Sequence, residues 1–269
     1  MAGFRSLRQR MAGGPDPNEV LSLHVEPHLN QPLLNWLAET CDNYWSSERW
    51  DVLAQALKID YTGRPSRNAI MVAINADNDL ILDLLDFRLK LGTGWEHQAS
   101  LADILFLGGS GYRLTDGKDG LEKIVDETVR AAALAAMDAA EPSAAEHLRE
   151  AWSATLGRNS NPTQAHAEMV RAVESASRPV VTPNNGEATL GTIIGQMTSQ
   201  AALYSTHGAS EKNDGIGAVV AMMRMVWQQQ TDRHGANPTI PATQRRVEFL
   251  LPVTAALVHA FSTGAVFRK

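Results

Sequence analysis

Cysteine is all but missing from this chain. Cys41 stands alone among 269 residues, so no intramolecular disulfide can form and no thiolate-based zinc site can be built. A single cysteine reads first as a small buried hydrophobe and second as a catalytic thiol. Long apolar runs are missing too. The most apolar stretch, FLLPVTAALVHAF, is interrupted by Pro252 and His259 and is too short for the roughly 20 residues a bilayer-spanning helix requires. The basic start MAGFRSLRQRM runs straight into GGPDPNE, where a signal peptide would need its apolar run, so a cytoplasmic protein with no membrane contact is expected. Positive charge is not in excess either. The formal net charge of −6 excludes a general electrostatic footprint for nucleic acid, and any such contact has to be a local basic patch. Neither repeats nor low-complexity tracts occur. The glycines of GGSG lack the strand-then-helix setting of a phosphate-binding loop.

What is present is helical periodicity. The segments PLLNWLAETCDNYW, SERWDVLAQALKI and NDLILDLLDFRLKLG carry apolar residues at helical spacing, the last with Asn78 as a cap and Gly92 as a stop. The stretch before Pro32, rich in proline and glycine, reads as an irregular arm. After a break at LGTGWEHQ comes a short helix, SLADILFL. Turn residues crowd GGSGYRLTDGKDG, predicting a small β element near residues 108–120. Beyond Gly120 the pattern is helical almost to the end, with Pro162 and Thr163 opening one helix and YSTHGASEKNDG forming a polar loop. The cleanest repeat is Ile216, Val219, Val220, Met223, Val226 and Trp227. The expected fold is all-α: a mostly helical N-terminal region over residues 1–107, and a C-terminal helical bundle over residues 108–269.

Charged groups suggest where chemistry could lie. In WQQQTDRHGANP, the order Arg233, His234, Gly235, Pro238 is what a helix stop looks like, with cations at the negative end of the helix dipole. The same residues admit a functional reading. A helix continuing from Val220 would turn Gln230 and His234 toward the face of Ile216, Val220 and Trp227, against a neighbouring helix or a second subunit. Burial lowers an imidazole pKa and Asp232 raises it, which allows His234 to titrate near neutrality. Histidine beside guanidinium suits metal-free RNA cleavage: the imidazole moves the 2′-hydroxyl proton and the arginine offsets charge on the phosphate. Other candidates read as structural. His24 and His28 lack the setting of a metal site. Asp79, Asp83 and Asp86 fit the solvated face of an amphipathic helix. Glu168, Arg171, Glu174 and Arg178 fit surface ion pairs, with Arg171 or Arg178 also available for a phosphate or RNA contact.

The run NPTQAHAEMVRAVESASRPVVTPNNGEATLGTIIGQM, a helix ending in QQTDRHG, and a long final helix resemble the C-terminal domain of bacterial abortive-infection-like proteins. Those domains resemble members of the HEPN superfamily. LGGSGYRL and EHLREAWSATLGRN are similar to segments preceding that domain in actinobacterial proteins. The resemblance spans roughly residues 105–265. It implies an α-helical bundle that forms homodimers, and a phage-defence role as a metal-independent ribonuclease or toxin. No cofactor is implied. The family motif sets an arginine and a polar residue some four to six positions ahead of a histidine. His234 corresponds to that histidine. Glutamines fill positions 228–230, so the arginine role falls to Arg233, next to His234, or to Arg224, ten residues upstream. Asp232 would orient or tune the pair. Two classes of function follow: a ribonuclease effector whose N-terminal region answers a phage or host trigger, or a catalytically silent helical module that dimerises and binds a partner.

Overall fold

The computed structural model of the chain describes residues 21–42, 48–208, 210, 215–228 and 241–269. Eleven α-helices and four three-residue strands occur among them. The chain divides into two units, residues up to Ile124 with Gly157–Asn159, and Val125–Leu156 with Ser160–Lys269.

In the first unit, α1 (Pro27–Cys41) starts at Pro27, earlier than the sequence pattern marks, because a fixed φ and a missing N–H suit a first helical turn. Its buried Leu29, Leu33, Trp36 and Leu37 lie at helical spacing and pack in one core with Trp50 of α2 (Glu48–Ala56), Ile70 of α3 (Ser66–Ala76), and Ile81 and Leu85 of α4 (Leu80–Lys90). Each such side chain, fully withdrawn from water, stabilises by about 1.5–3 kcal/mol. The next helix, α5 (Trp95–Leu107), begins within the stretch expected to break the chain. Its C-cap Gly108 sits against α1 so closely that a Cβ there would lie 2.1 Å from Leu29 Cδ2. The turn-rich stretch forms the expected small β element, but the hairpin runs past Gly120 into a segment expected to be helical: β1 (Tyr112–Leu114) pairs antiparallel with β2 (Leu121–Lys123). Gly157 bridges to Glu122 and the Arg158 N–H donates to the Leu121 carbonyl, so residues 157–159 extend this hairpin.

The second unit comprises α6 (Glu127–Ala139), α7 (Pro142–Leu156), α8 (Pro162–Val181), α9 (Leu190–Ser199), α10 (Ile216–Trp227) and α11 (Gln244–Ser262). The starts are chemically marked: Asp126, Asn161, Thr189 and Thr243 each accept a backbone N–H of the first turn. Alanines at Ala136, Ala144, Ala151, Ala165 and Ala172 are buried, and small side chains let helix axes approach closely. One feature lies outside the sequence expectation of a single β element. Tyr204–Thr206 (β3), within the expected polar loop, pairs antiparallel with Val266–Arg268 (β4). Among the described residues no helix is long and apolar enough to cross a membrane.

Candidate functional site

The helix expected to present the histidine is α10, with Ile216, Val219, Val220, Met223 and Val226 buried. It stops at Trp227. Gln228 has ψ 137°, an extended backbone, and only its N–H still reaches back to the Arg224 carbonyl. The helical phase from Val220 therefore does not run on toward residue 234, and the direction expected for His234 no longer follows from it. Asp232, Arg233 and His234 lie outside the described residues.

The end of α10 is closed by two side chains from other helices. His166 of α8 is buried, with Nε2 2.8 Å from the Val226 carbonyl, so Nε2 carries the proton and donates. Burial pushes its pKa below the ordinary value of 6.5, and the positive Arg246 pushes the same way. Arg246 of α11 donates through Nη2 to the Met225 carbonyl at 3.2 Å and the Gln228 carbonyl at 2.8 Å.

On this closed end stands Arg224, in the last turn of α10 and exposed. Its Nη2 donates to Thr198 Oγ1 at 3.2 Å, and no carboxylate pairs with it among the described residues. Trp227, three residues on and so on the same helix face, is 41% exposed. The indole edge lies on α9, where a Cβ at Gly191 would come 2.7 Å from Cζ2.

The two arginines marked for RNA contact are already engaged. Arg171 Nη1 donates to Glu168 Oε1 at 2.6 Å, though the side chain stays 57% exposed. Arg178 turns inward, its Nε donating to the Ala188 carbonyl at 3.0 Å while Glu174 accepts the Leu190 N–H at 2.6 Å. Glu168 and Glu174 are buried, so this charge row is more than a surface ladder. Arg178 and Glu174 fasten the start of α9.

Sequence reasoning passed over His147. It stands on α7 with Nδ1 2.7 Å from Glu168 Oε2, so one buried carboxylate joins an imidazole and the Arg171 guanidinium. The charge spacing along α8 revealed Glu168 and Arg171; nothing in it could reveal a partner on another helix.

In the first unit the row Asp79, Asp83 and Asp86 is not a solvated face, contrary to expectation. Asp79 accepts from the Val25 N–H and lies 2.5 Å from His24 Nδ1, a contact that raises the histidine's pKa. Asp83 holds Arg158 Nε at 2.6 Å, and that guanidinium also donates to Tyr112 Oη. Asp86 is buried, accepting from the Leu121 N–H, Lys90 Nζ and Asn159 Nδ2. His28 instead meets the Gly108 carbonyl, and the described residues hold no group of three metal-ligating side chains. Cys41 is buried, and burial raises its thiol pKa, as befits a small core residue.

Protein-family models, curated proteins and solved structures were compared with the chain, and none matches.

Proposed function

We propose that the second unit is an RNA-cleaving helical module of the HEPN type, acting in phage defence as a homodimer. The observation that carries this reading is Arg224. It is an exposed guanidinium on a fixed helix end, bonded to a hydroxyl and neutralised by no carboxylate among the described residues. That makes Arg224, rather than Arg171 or Arg178, the cation available to a phosphodiester, and it lies ten residues before His234. In this scheme the His234 imidazole takes the 2′-hydroxyl proton as that oxygen bonds to phosphorus. Arg224 offsets the charge that builds on the phosphoryl oxygens. The P–O5′ bond breaks, and the leaving oxygen takes a proton from the imidazolium of the second copy. The products are a 2′,3′-cyclic phosphate and a 5′-hydroxyl, and no metal takes part. Asp232 orients the imidazole, and Arg233 is the competing choice for the arginine.

The test is cleavage of a labelled single-stranded RNA by the purified protein, with and without EDTA. Activity should survive EDTA, and His234→Ala should lower it about 10²–10⁴-fold while the circular dichroism spectrum stays unchanged. Arg224→Ala should reproduce that loss and Arg233→Ala should not. Cleavage that survives His234→Ala and both arginine substitutions would sink the proposal.

A second reading rests on a separate observation. Trp227 and Met225 are partly exposed at the α10 end, and Phe249, one turn beyond Arg246 on α11, is 59% exposed. Exposed apolar groups on the helices that carry Arg224 and Arg246 suit a partner surface, here a second copy of the chain. A silent module would then dimerise without cleaving RNA. Light scattering at micromolar concentration should give a dimer, and Phe249→Asp should shift it toward monomer. A monomer for the unmodified chain would remove this reading.

A further inference from the structure

We infer that His147 is a phosphoryl-acceptor site, a nucleophilic imidazole whose Nε2 takes the phosphoryl group of an acyl phosphate. Every group involved lies on α7 or α8, apart from His234 and from RNA cleavage. His147 Nδ1 is 2.7 Å from Glu168 Oε2. The carboxylate, paired also with Arg171, only accepts, so Nδ1 carries the proton and the lone pair of the neutral ring sits on Nε2. Among the described residues Nε2 has no hydrogen-bond partner, and the side chain is 31% exposed. The nucleophilic atom is thus oriented by a third group and open to a donor.

The rest of the cluster suits the charges of that transfer. As the Nε2 lone pair bonds to phosphorus, the P–O bond to the acyl group breaks and the carboxylate leaves with the electron pair. Nothing is oxidised or reduced, and the leaving anion needs no proton. The ring gains positive charge, which the buried Glu168 carboxylate meets across the Nδ1–H bond. Arg171 holds the other oxygen of that carboxylate, Nη1 to Oε1 at 2.6 Å, while the side chain stays 57% exposed. Glu168 offsets much of its charge, so its remaining N–H groups steady a phosphoryl group attached to the ring rather than collect free phosphate. Ser143 Oγ and Ser175 Oγ, 3.0 Å apart, extend the donors along the same seam, four residues from His147 on α7 and from Arg171 on α8. His24 lacks this setting. Its Nδ1 also meets a carboxylate, but the second oxygen of Asp79 takes the Val25 N–H and not a guanidinium.

The full chain is treated with acetyl phosphate, and the label is located by peptide mass spectrometry at alkaline pH, where phosphohistidine survives. His147 should label at least about 10-fold faster than His259, an exposed imidazole of α11 that meets no carboxylate among the described residues. Glu168→Gln keeps an acceptor for Nδ1 but loses the charge, and should slow His147 about 10-fold while His259 is unchanged. If that variant fails to fold by circular dichroism, Arg171→Met, at an exposed position, carries the test and should slow His147 about threefold or more. Equal labelling of His147 and His259, or a label on Ser143 or Ser175 in place of the ring, would overturn the proposal. So would a fast His147 indifferent to both substitutions. His24 labelling as fast as His147 would overturn the part given to Arg171. Loss of RNA cleavage has no bearing on this label, and the label has none on RNA cleavage.

Discussion

Replacing Asp86 with alanine should be among the most damaging single changes in the first unit. The carboxylate is 3% exposed and serves three donors: the buried Leu121 N–H at 2.8 Å, Lys90 Nζ at 2.8 Å and Asn159 Nδ2 at 3.0 Å. A hydrogen bond to a charged group contributes about 1.5–3 kcal/mol, and a buried N–H left unpaired costs about 1–3 kcal/mol. Lys90 is half exposed and recovers water, so its ion pair adds only about 0.2–1 kcal/mol after solvent screening. Leu121 contributes its lost bond and Asn159 part of another, giving a loss of about 3–5 kcal/mol for Asp86→Ala. Asp86→Asn keeps one acceptor oxygen and should lose about half as much. Urea denaturation followed by circular dichroism measures the difference, with hydrogen exchange of the hairpin peptides locating it. The exposed Asp103, on α5, is the control, and Asp103→Ala should stay within about 0.5 kcal/mol. If Asp86→Ala costs no more than that control, the aspartate is a surface residue after all and the network carries no weight.

Two further expectations concern the second unit. His166 has a folded pKa below its unfolded value of about 6.5, so the fold favours the neutral ring; the associated stability is complete above pH 6.5 and declines as pH falls through 6.5 toward the folded pKa. The urea midpoint should drop between pH 7 and 5, and His166→Gln should flatten that slope; an equal slope in the variant assigns the loss to other groups. Gly191→Ala places a methyl against the Trp227 ring, and overpacking of about 1–3 kcal/mol should outweigh the helix propensity gained. In a Trp227→Leu background the same change should stabilise, by about 0.5–1 kcal/mol, and destabilisation of equal size in both backgrounds would refute the contact.

The sequence by itself determined the helices and several of their limits, because those signals are local. Pro162 opens α8, Gly92 with its φ of +85° closes α4, and the apolar repeat of α10 states which face is buried. It also marked the β element at β1 from the turn residues that follow it, but not β2, whose residues past Gly120 read as the start of a helix. Tertiary structure decided whatever depended on a distant partner. Tyr204–Thr206 becomes a strand only because Val266–Arg268 lies alongside, and three residues carry no readable alternation. The acids of α4 have helical spacing either way; whether they meet water or meet Val25, Arg158 and Asn159, 54 to 75 residues away in the case of Asp79 and Asp83 and 73 for Asp86, is settled by packing. The same holds at the candidate site. The repeat in α10 gave no reason to stop at Trp227, since glutamines favour continued helix. At the stop His166 and Arg246 reach carbonyls 60 and 18 to 21 residues away in sequence, because an orphaned carbonyl takes whichever donor the fold brings to it.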